Sequence, residues 1–308
     1  MDKMNTHTDK RTNRKAKLSG ICRLLSLAGV VLSLLTACSK DDPYKTSHPD
    51  KGAVKVTTDW SGASSDAVLP ESYVLRIGTQ EQTVSGASNV FNALFEPGKQ
   101  ELLVCHPAKG IIRSDNIATV NTLPDGTLEP MPGYLFSASR QLDIVKDDTL
   151  QVNLKMEQRI RSLTLTLKLK SGDEARIASV TATLTGITSA IDLRDGTTTA
   201  TEGKTVAPAF VIRTDDPKER FTAEPALVAT LRLLGVMTGE QQQLTLVITL
   251  KDGHVQTITD DLSETLKDFG DKTEPLELEA TLELSTEGSF TATITDWTKI
   301  DNGQVDIH

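Results

Sequence analysis

The sequence predicts an all-β protein, two β-sandwich domains in tandem behind a basic and apolar leader and a short polar tether. Three observations carry this. From Ala53 onward apolar and polar residues alternate with a period of two, the pattern of a strand with one buried face. The stretches "SGAS", "EPGK", "LPDG" and "MPGY" separate the alternating runs, placing Gly or Pro where a tight turn needs special backbone dihedrals. Helix-period runs are nearly absent, and 308 residues with 38% hydrophobic and 24% charged side chains suffice for two ordinary globular domains.

Residues 1–37 read as a secretory signal. Lys3, Lys10, Arg11, Arg14, Lys15, Lys17 and Arg23 all precede an uncharged apolar run from Leu24 to Ala37, the order of a basic region and a short hydrophobic region. A membrane-spanning helix needs about 20 apolar residues, and this run has fourteen. Leu35, Thr36, Ala37 and Cys38 form L-T-A-C, which resembles the lipobox of bacterial lipoproteins. The resemblance implies cleavage before Cys38, a diacylglyceryl thioether on its sulfur and an N-acyl chain such as palmitate on the new amino terminus. Several chains make the anchor stable, since each buried methylene contributes about 0.8 kcal/mol and one chain alone binds marginally. The competing reading is ordinary cleavage after Ala37 with Cys38 left as a free thiol. Cys22 leaves with the leader, so Cys105 alone would remain as a partner, an odd disulfide framework for a chain this long. Cys105 itself, in "ELLVCHP", reads as a buried strand thiol.

Ser39 stands where an aspartate would retain a lipoprotein in the inner membrane, so the same resemblance implies the outer membrane. Lys40, Asp41 and Asp42 resemble the acidic surface-export signal of Bacteroidales lipoproteins; the alternative is a plain polar tether. Pro43, Ser47 and Pro49 discourage regular structure, and the tether is expected over residues 38–52. Losing residues 1–37 removes seven of 33 basic and two of 42 acidic residues, which leaves 26 against 40 and a net charge of −14. So acidic a chain repels phosphate backbones and anionic lipid, which argues against nucleic acid as a partner.

The first sandwich is expected over residues 53–160. Val54 and Val56 alternate before Trp60, Val74 and Ile77 fall in a second run, and Leu102 and Val104 mark a third. The second sandwich is expected over residues 161–308, with the boundary inside "KMEQRIRSLTLTLKLK". Leu163, Leu165, Leu167 and Leu169 alternate with Thr164, Thr166 and Lys168. On a helix these leucines would scatter around the axis, whereas on a strand they share one face. Similar runs cover Ile177 to Thr185, Val228 to Leu234, Leu244 to Leu250, Val255 to Thr259, Leu276 to Leu284 and Phe290 to Ile294. "LKDGHV" predicts a hairpin with Asp252-Gly253 as a two-residue primed turn. "LSETLKDFG" predicts one short connecting helix, with Ser263 as cap, Leu262, Leu266 and Phe269 on one face and Gly270 as terminator.

Taken together, the lipobox with its acidic follow-on, "VKVTTDWSG", "FEPGKQELLVCHP", "LQVNLKMEQRIRSLTLTLKL" and the closing "FTATITDWTKI" resemble the fimbrial anchor and accessory lipoproteins of Bacteroidales, the class that assembles type V pili. The resemblance covers essentially the whole chain. It implies two tandem transthyretin-like β-sandwiches and a place in cell-surface fimbriae, with other fimbrial subunits as partners. In that family stalk subunits are clipped after a basic residue, often arginine, so that the acylated first strand leaves and a neighbour's strand fills the groove, a case of β-augmentation. This sequence has no arginine between Cys38 and Arg76, and Arg76 lies inside the predicted strand "YVLRIG". Lys45, Lys51 and Lys55 remain for a protease of other specificity. An unclipped chain keeps its lipid and its first strand, as an anchor should, and would contact neighbours through another edge. "GSFTATITDWTKI", with Phe290, Ala292 and Ile294 alternating, is the candidate edge, weighed against an ordinary paired strand.

No catalytic, metal or cofactor residue is assigned. His48, His106, His254 and His308 show no metal-ligand spacing, and no CxxC pair exists. Cys105 and His106 are adjacent, so on a strand they would point to opposite faces rather than form a thiol nucleophile and its base. Asp195 to Thr205 holds Gly, Lys and Thr without phosphate-loop spacing and reads as a flexible loop. Asp215, Asp216, Asp260 and Asp261 lack a calcium-binding ladder and read as turn charge. Trp60 and Trp297 each end an alternating strand. Exposed, they would be sugar-stacking platforms of a surface glycan-binding lipoprotein, the alternative function; buried, they would seal the ends of sandwich cores.

Overall fold

The structure, a computed structural model, describes residues 50–214, 224–285 and 292–300. The readings of the leader, Cys38 and its lipid, Lys40 to Asp42, Lys45, His48, Asp215, Asp216, Phe290 and His308 lie outside the described residues. What is described is an all-β protein, with strands in ladders throughout and one short helix.

The first half is laid out as β1 (Ala53–Asp59), β2 (Ser72–Ile77), β3 (Gln80–Ser85), β4 (Ser88–Val90), β5 (Gly98–Cys105), β6 (Ile111–Ser114), β7 (Ile117–Val120), β8 (Phe136–Ile144), β9 (Thr149–Lys155) and β10 (Glu157–Gln158). A three-stranded sheet β4-β1-β9 and a five-stranded sheet β10-β8-β5-β2-β3 share one core. Val54, Val56, Val152 and Leu154 meet Tyr73, Leu75, Ile77, Leu102 and Val104 there. The buried face of β2 is therefore Tyr73, Leu75 and Ile77, with Val74 on the other face. Both Val74 and Ile77 thus lie in β2, as the second run predicts, and they face opposite sides of the strand.

The second half follows with β11 (Arg161–Leu169), β12 (Ile177–Ile187), β13 (Ala190–Asp192), β14 (Lys204–Val206), β15 (Val211–Arg213), β16 (Ala226–Leu233), β17 (Gln243–Leu250), β18 (Val255–Asp261), α1 (Ser263–Leu266), β19 (Leu276–Glu283), β20 (Thr293–Ile294) and β21 (Thr298–Lys299). β15-β16-β11-β19-β20 form one sheet, with β21 also on β19, and β14-β12-β17-β18 the other. The alternation in β11 is realised in full, with Leu163, Leu165 and Leu167 at 0% exposure and Leu169 at 2%. Its outward face is tied by the Thr164–Thr230 hydroxyl pair at 3.1 Å and the Lys168–Glu279 ion pair. Four buried leucines at roughly 1.5–3 kcal/mol each make β11 a main contributor to the second core.

Two local expectations change. The β17–β18 hairpin forms, but Leu250 and His254 face each other around three residues, and Gly253 alone takes positive φ, at 89°. A three-residue loop needs only one left-handed residue at its end, whereas the two-residue type I′ turn that Asp-Gly favours needs two. In α1 the capping position is Leu262 with no side-chain cap; Ser263 is the first helical residue, and its hydroxyl accepts from Gln242 N–H at 2.9 Å. Gly270 lies inside a 3₁₀ turn, Phe269–Asp271, rather than ending the helix. The shared face survives, since Leu262, Leu266 and Phe269 are 0–1% exposed in the second core.

A third small sheet, β13-β7-β6, lies over the outer face of the five-stranded sheet. Ser139 donates to Arg194 O at 3.0 Å, and Arg113 Nη2 donates to both Glu81 carboxylate oxygens, at 2.7 and 2.9 Å. This cover explains why Leu102, Leu103, Val104 and Cys105 are buried without alternation: a strand covered on both faces reads as a continuous apolar run.

Candidate functional site

The feature with most bearing on function is the seat of β1. It is the middle strand of its sheet, antiparallel to β4 from Lys55↔Val90 to Thr57↔Ser88, and parallel to β9 from Ala53↔Thr149 to Asp59↔Lys155. Val54 and Val56 are 0% exposed. Ahead of it, Gly52 exchanges two backbone hydrogen bonds of 2.9 Å with Phe95, and Asp147 N–H donates to Lys51 O at 3.1 Å. Only glycine fits at Gly52, because a Cβ would lie 2.3 Å from Val145 O and 2.5 Å from Ile144 Cγ2. Lys51 pairs with Glu96 at 3.0 Å. Two lysines named as protease targets, Lys51 and Lys55, thus sit in paired backbone, and Arg76 lies within β2, 3.9 Å from Asp115.

At the carboxy-terminal edge, β20 and β21 are two-residue pieces on β19, registered as Leu282↔Ile294 with Glu283↔Thr293, and Leu278↔Lys299 with Glu279↔Thr298. Between them Thr281 N–H is satisfied by the Thr295 hydroxyl at 2.9 Å instead of a carbonyl, so the ladder is interrupted. Ala292 is buried, and Ile294 packs on the second core. The described part of this stretch is a paired edge strand at Thr293–Ile294, and the start of the expected run, at Phe290, lies outside the described residues. The opposite edge of the same sheet is β15, where Val211 and Ile212 are 59% and 42% exposed. Sequence reasoning missed β15, although the run "FVIR" just after Pro208 was a readable signal.

Both indoles pack on cores. Trp60 sits edge to face against Tyr73 and Phe136, with centroids 5.5 and 5.4 Å away, and donates to the Thr58 hydroxyl at 3.0 Å. Trp297 packs on the second core and donates to Asp260 at 2.6 Å. Asp261 accepts from Ser263 N–H at 2.9 Å, so both carboxylates hold local structure. Cys105 is a free, buried thiol pushed up by burial, with the Arg113 guanidinium beside it as an opposing influence. His106 lies just past β5; burial pushes its imidazole below the usual range, and its Nδ1 accepts from Phe136 N–H at 3.3 Å. Both residues line a cavity of about 130 Å³ under the small sheet. The loop of residues 195–205 is pinned by Asp195 accepting from Thr197 and by Gly203 N–H donating to Glu240 at 2.8 Å. Among the described residues no cluster of three His, Cys, Asp or Glu side chains could hold a metal, and no helix is long and apolar enough to cross a membrane.

The described residues offer sheet edges and a firmly seated β1 within an all-β fold. Residues 70–303 match the profile of the fimbrillin-A associated anchor proteins Mfa1 and Mfa2. The chain belongs to that family of fimbria-associated proteins. Among solved structures it resembles the fimbrial anchor protein Mfa2 from Porphyromonas gingivalis, with TM-score 0.54 at 9% identity over 81% of this chain and 97% of that one. A structure from Bacteroides ovatus described as a candidate adhesin aligns with TM-score 0.57 at 10% identity, covering 82% and 96%. Another candidate adhesin, from Bacteroides thetaiotaomicron, aligns with TM-score 0.51 at 12% identity, covering 83% and 100%. At such identities the likeness is one of fold. Among curated protein sequences nothing matches the chain.

Proposed function

We propose that the chain is a non-enzymatic outer-membrane lipoprotein, acylated at Cys38 and facing outward. It has two tandem transthyretin-like sandwiches, residues 53–160 and 161–308, behind a leader of residues 1–37 and a tether of residues 38–52. It serves as an anchor or accessory subunit of a fimbria and holds neighbouring subunits by β-strand addition at a sheet edge, with residues 288–300 as the candidate edge. The observation that carries the reading is the seat of β1. A stalk subunit gives up its first strand to open a groove, whereas this one is locked between β4 and β9 from Gly52 onward, as suits a subunit that keeps its amino-terminal attachment. The interrupted ladder at β20 and β21 supports the choice of edge, because an edge with few backbone bonds is the easiest to extend or exchange.

Intact mass of the mature protein from its own cells tests the attachment. A diacylglycerylated, N-acylated Cys38 is expected, and a bare amino terminus refutes it. Sheared fimbriae should carry the chain along, and truncation after Glu287 should release it while the lipid stays and Trp60 keeps its folded fluorescence. Retention of the truncated chain excludes that edge. Binding to a glycan array that Trp60→Ala or Trp297→Ala abolishes, without fimbrial association, replaces the reading by glycan binding.

A further inference from the structure

Each half of the chain completes the other's core. β13 leaves the second half and pairs with β7 of the first, Ala190 on Thr119, Ile191 on Ala118 and Asp192 on Ile117. Ile191 and Leu193, 3% and 1% exposed, belong to the first core. In return Val120 and Leu128, 4% and 2% exposed, belong to the second core, and Leu128 bridges Val206 of β14. Backbone hydrogen bonds fix the exchange: Val120 N–H to Ser189 O at 2.9 Å, Leu128 N–H to Thr205 O at 2.8 Å, Leu193 N–H to Asn116 O at 2.7 Å and Arg232 N–H to Pro130 O at 2.9 Å. Side chains cross as well. Ser65 Oγ donates to Glu274 at 2.8 Å, the Tyr134 and Ser162 hydroxyls pair at 2.8 Å, and the Arg232 guanidinium lies 4.2 Å from the Tyr134 ring centroid.

We propose that this reciprocal exchange makes the two sandwiches one cooperative unit, so that neither core opens while the other stays closed. The inference goes beyond the anchoring role and does not rest on it. Two sandwiches joined end to end by a linker would open separately, because interfaces between domains of one chain are commonly small and polar, and all-or-none unfolding is usual only below about 150 residues. Here the described residues form one compact unit. Opening the first sandwich strips Ile191 and Leu193 of their seats; opening the second strips Val120 and Leu128. Burial of each such side chain multiplies the folded-to-unfolded ratio by roughly ten- to a hundredfold, so loss of one core is felt at once by the other.

The two tryptophans report on different cores, Trp60 on the first and Trp297 on the second. Full-length Trp60→Phe and Trp297→Phe chains should therefore unfold in urea with one shared midpoint and slope. Leu193→Ala, introduced into each, should lower both midpoints together, with the folded-to-unfolded ratio falling roughly 30-fold to several-thousandfold. Two separate midpoints, or a Leu193→Ala shift seen by Trp60 alone, overturn the proposal. Should a variant fail to fold, amide hydrogen exchange on the unaltered chain decides the matter. One common slowest opening for the amides of β5 and β11 supports a single unit, and two distinct openings overturn it.

Discussion

A lysine-specific protease should leave the bond after Lys55 intact as long as the chain is folded. To reach a protease, the segment around Lys55 must leave the middle of its sheet and take Val54 and Val56 into water. Both are 0% exposed, and at roughly 1.5–3 kcal/mol per side chain their exposure costs about 3–6 kcal/mol before any backbone bond to β4 or β9 is counted. That cost corresponds to an open fraction of about 10⁻² to 10⁻⁴, and cleavage slows by the same factor when reclosing outruns cutting. The measurement is a time course of native digestion read by intact mass, set against a synthetic peptide of residues 50–60. A product cut after Lys55 that forms at the peptide's rate would refute both the seat of β1 and the argument that this strand is retained.

Leu165→Ala should cost about 3–5 kcal/mol, because its neighbours in register, Ala229 and Leu278, are themselves buried and held by paired backbone that cannot collapse into the hole; a urea midpoint that moves by less than 1 M, for a slope of ~3 kcal/mol/M, contradicts this. Gly186→Ala should lower Tm by roughly 2–8 °C, since Gly186 has φ +70° and an added Cβ would lie 2.6 Å from Gln241 O; an unchanged Tm shows that the backbone yields there freely. Burial holds the folded-state pKa of His106 below its ordinary value, so below about pH 6.5 the unfolded chain binds a proton that the folded chain resists. Stability from this neutral imidazole is full above that pH and is lost as pH falls through it towards the folded value. His106→Asn should flatten the decline of Tm with acid, and an unaltered decline rules His106 out as its source.

Where one face of a strand met the core and the other met water, the strand was legible. β11 is the clearest case: leucine and threonine alternate, and no helix places those leucines on one stripe. β12, β16, β17, β18 and β19 were found in the same way, within a few residues at their ends. β5 was placed from Leu102 and Val104, although its second face is buried too, under the small sheet. The signal failed where polar residues interrupt a strand. β8 mixes Ser137, Arg140 and Gln141 among apolar residues, and a pattern read from one sequence does not say which of them the sandwich tolerates. The cap of α1 was misplaced because Ser263 and Asp261 are both capping types, and the hydroxyl is taken by Gln242 N–H, which is remote in sequence. The pairing of Ile191 with Ala118 leaves no local trace, since it depends on two short segments of ordinary composition meeting across the molecule. Of the site, the burial of Val54 and Val56 could be read directly, whereas the parallel partner β9 could not, because alternation reports a buried face and not the neighbour that supplies the hydrogen bonds.

That parallel partner decides how the chain bears a pull. β1 begins at Ala53, while β9 ends at Lys155 and leads through β10 into β11. Tension applied ahead of Ala53 and resisted by the second half drags the two strands past each other along their common direction. All seven rungs from Ala53↔Thr149 to Asp59↔Lys155 are then strained together. A hairpin gripped at its open ends would instead peel one rung after another, at far lower force.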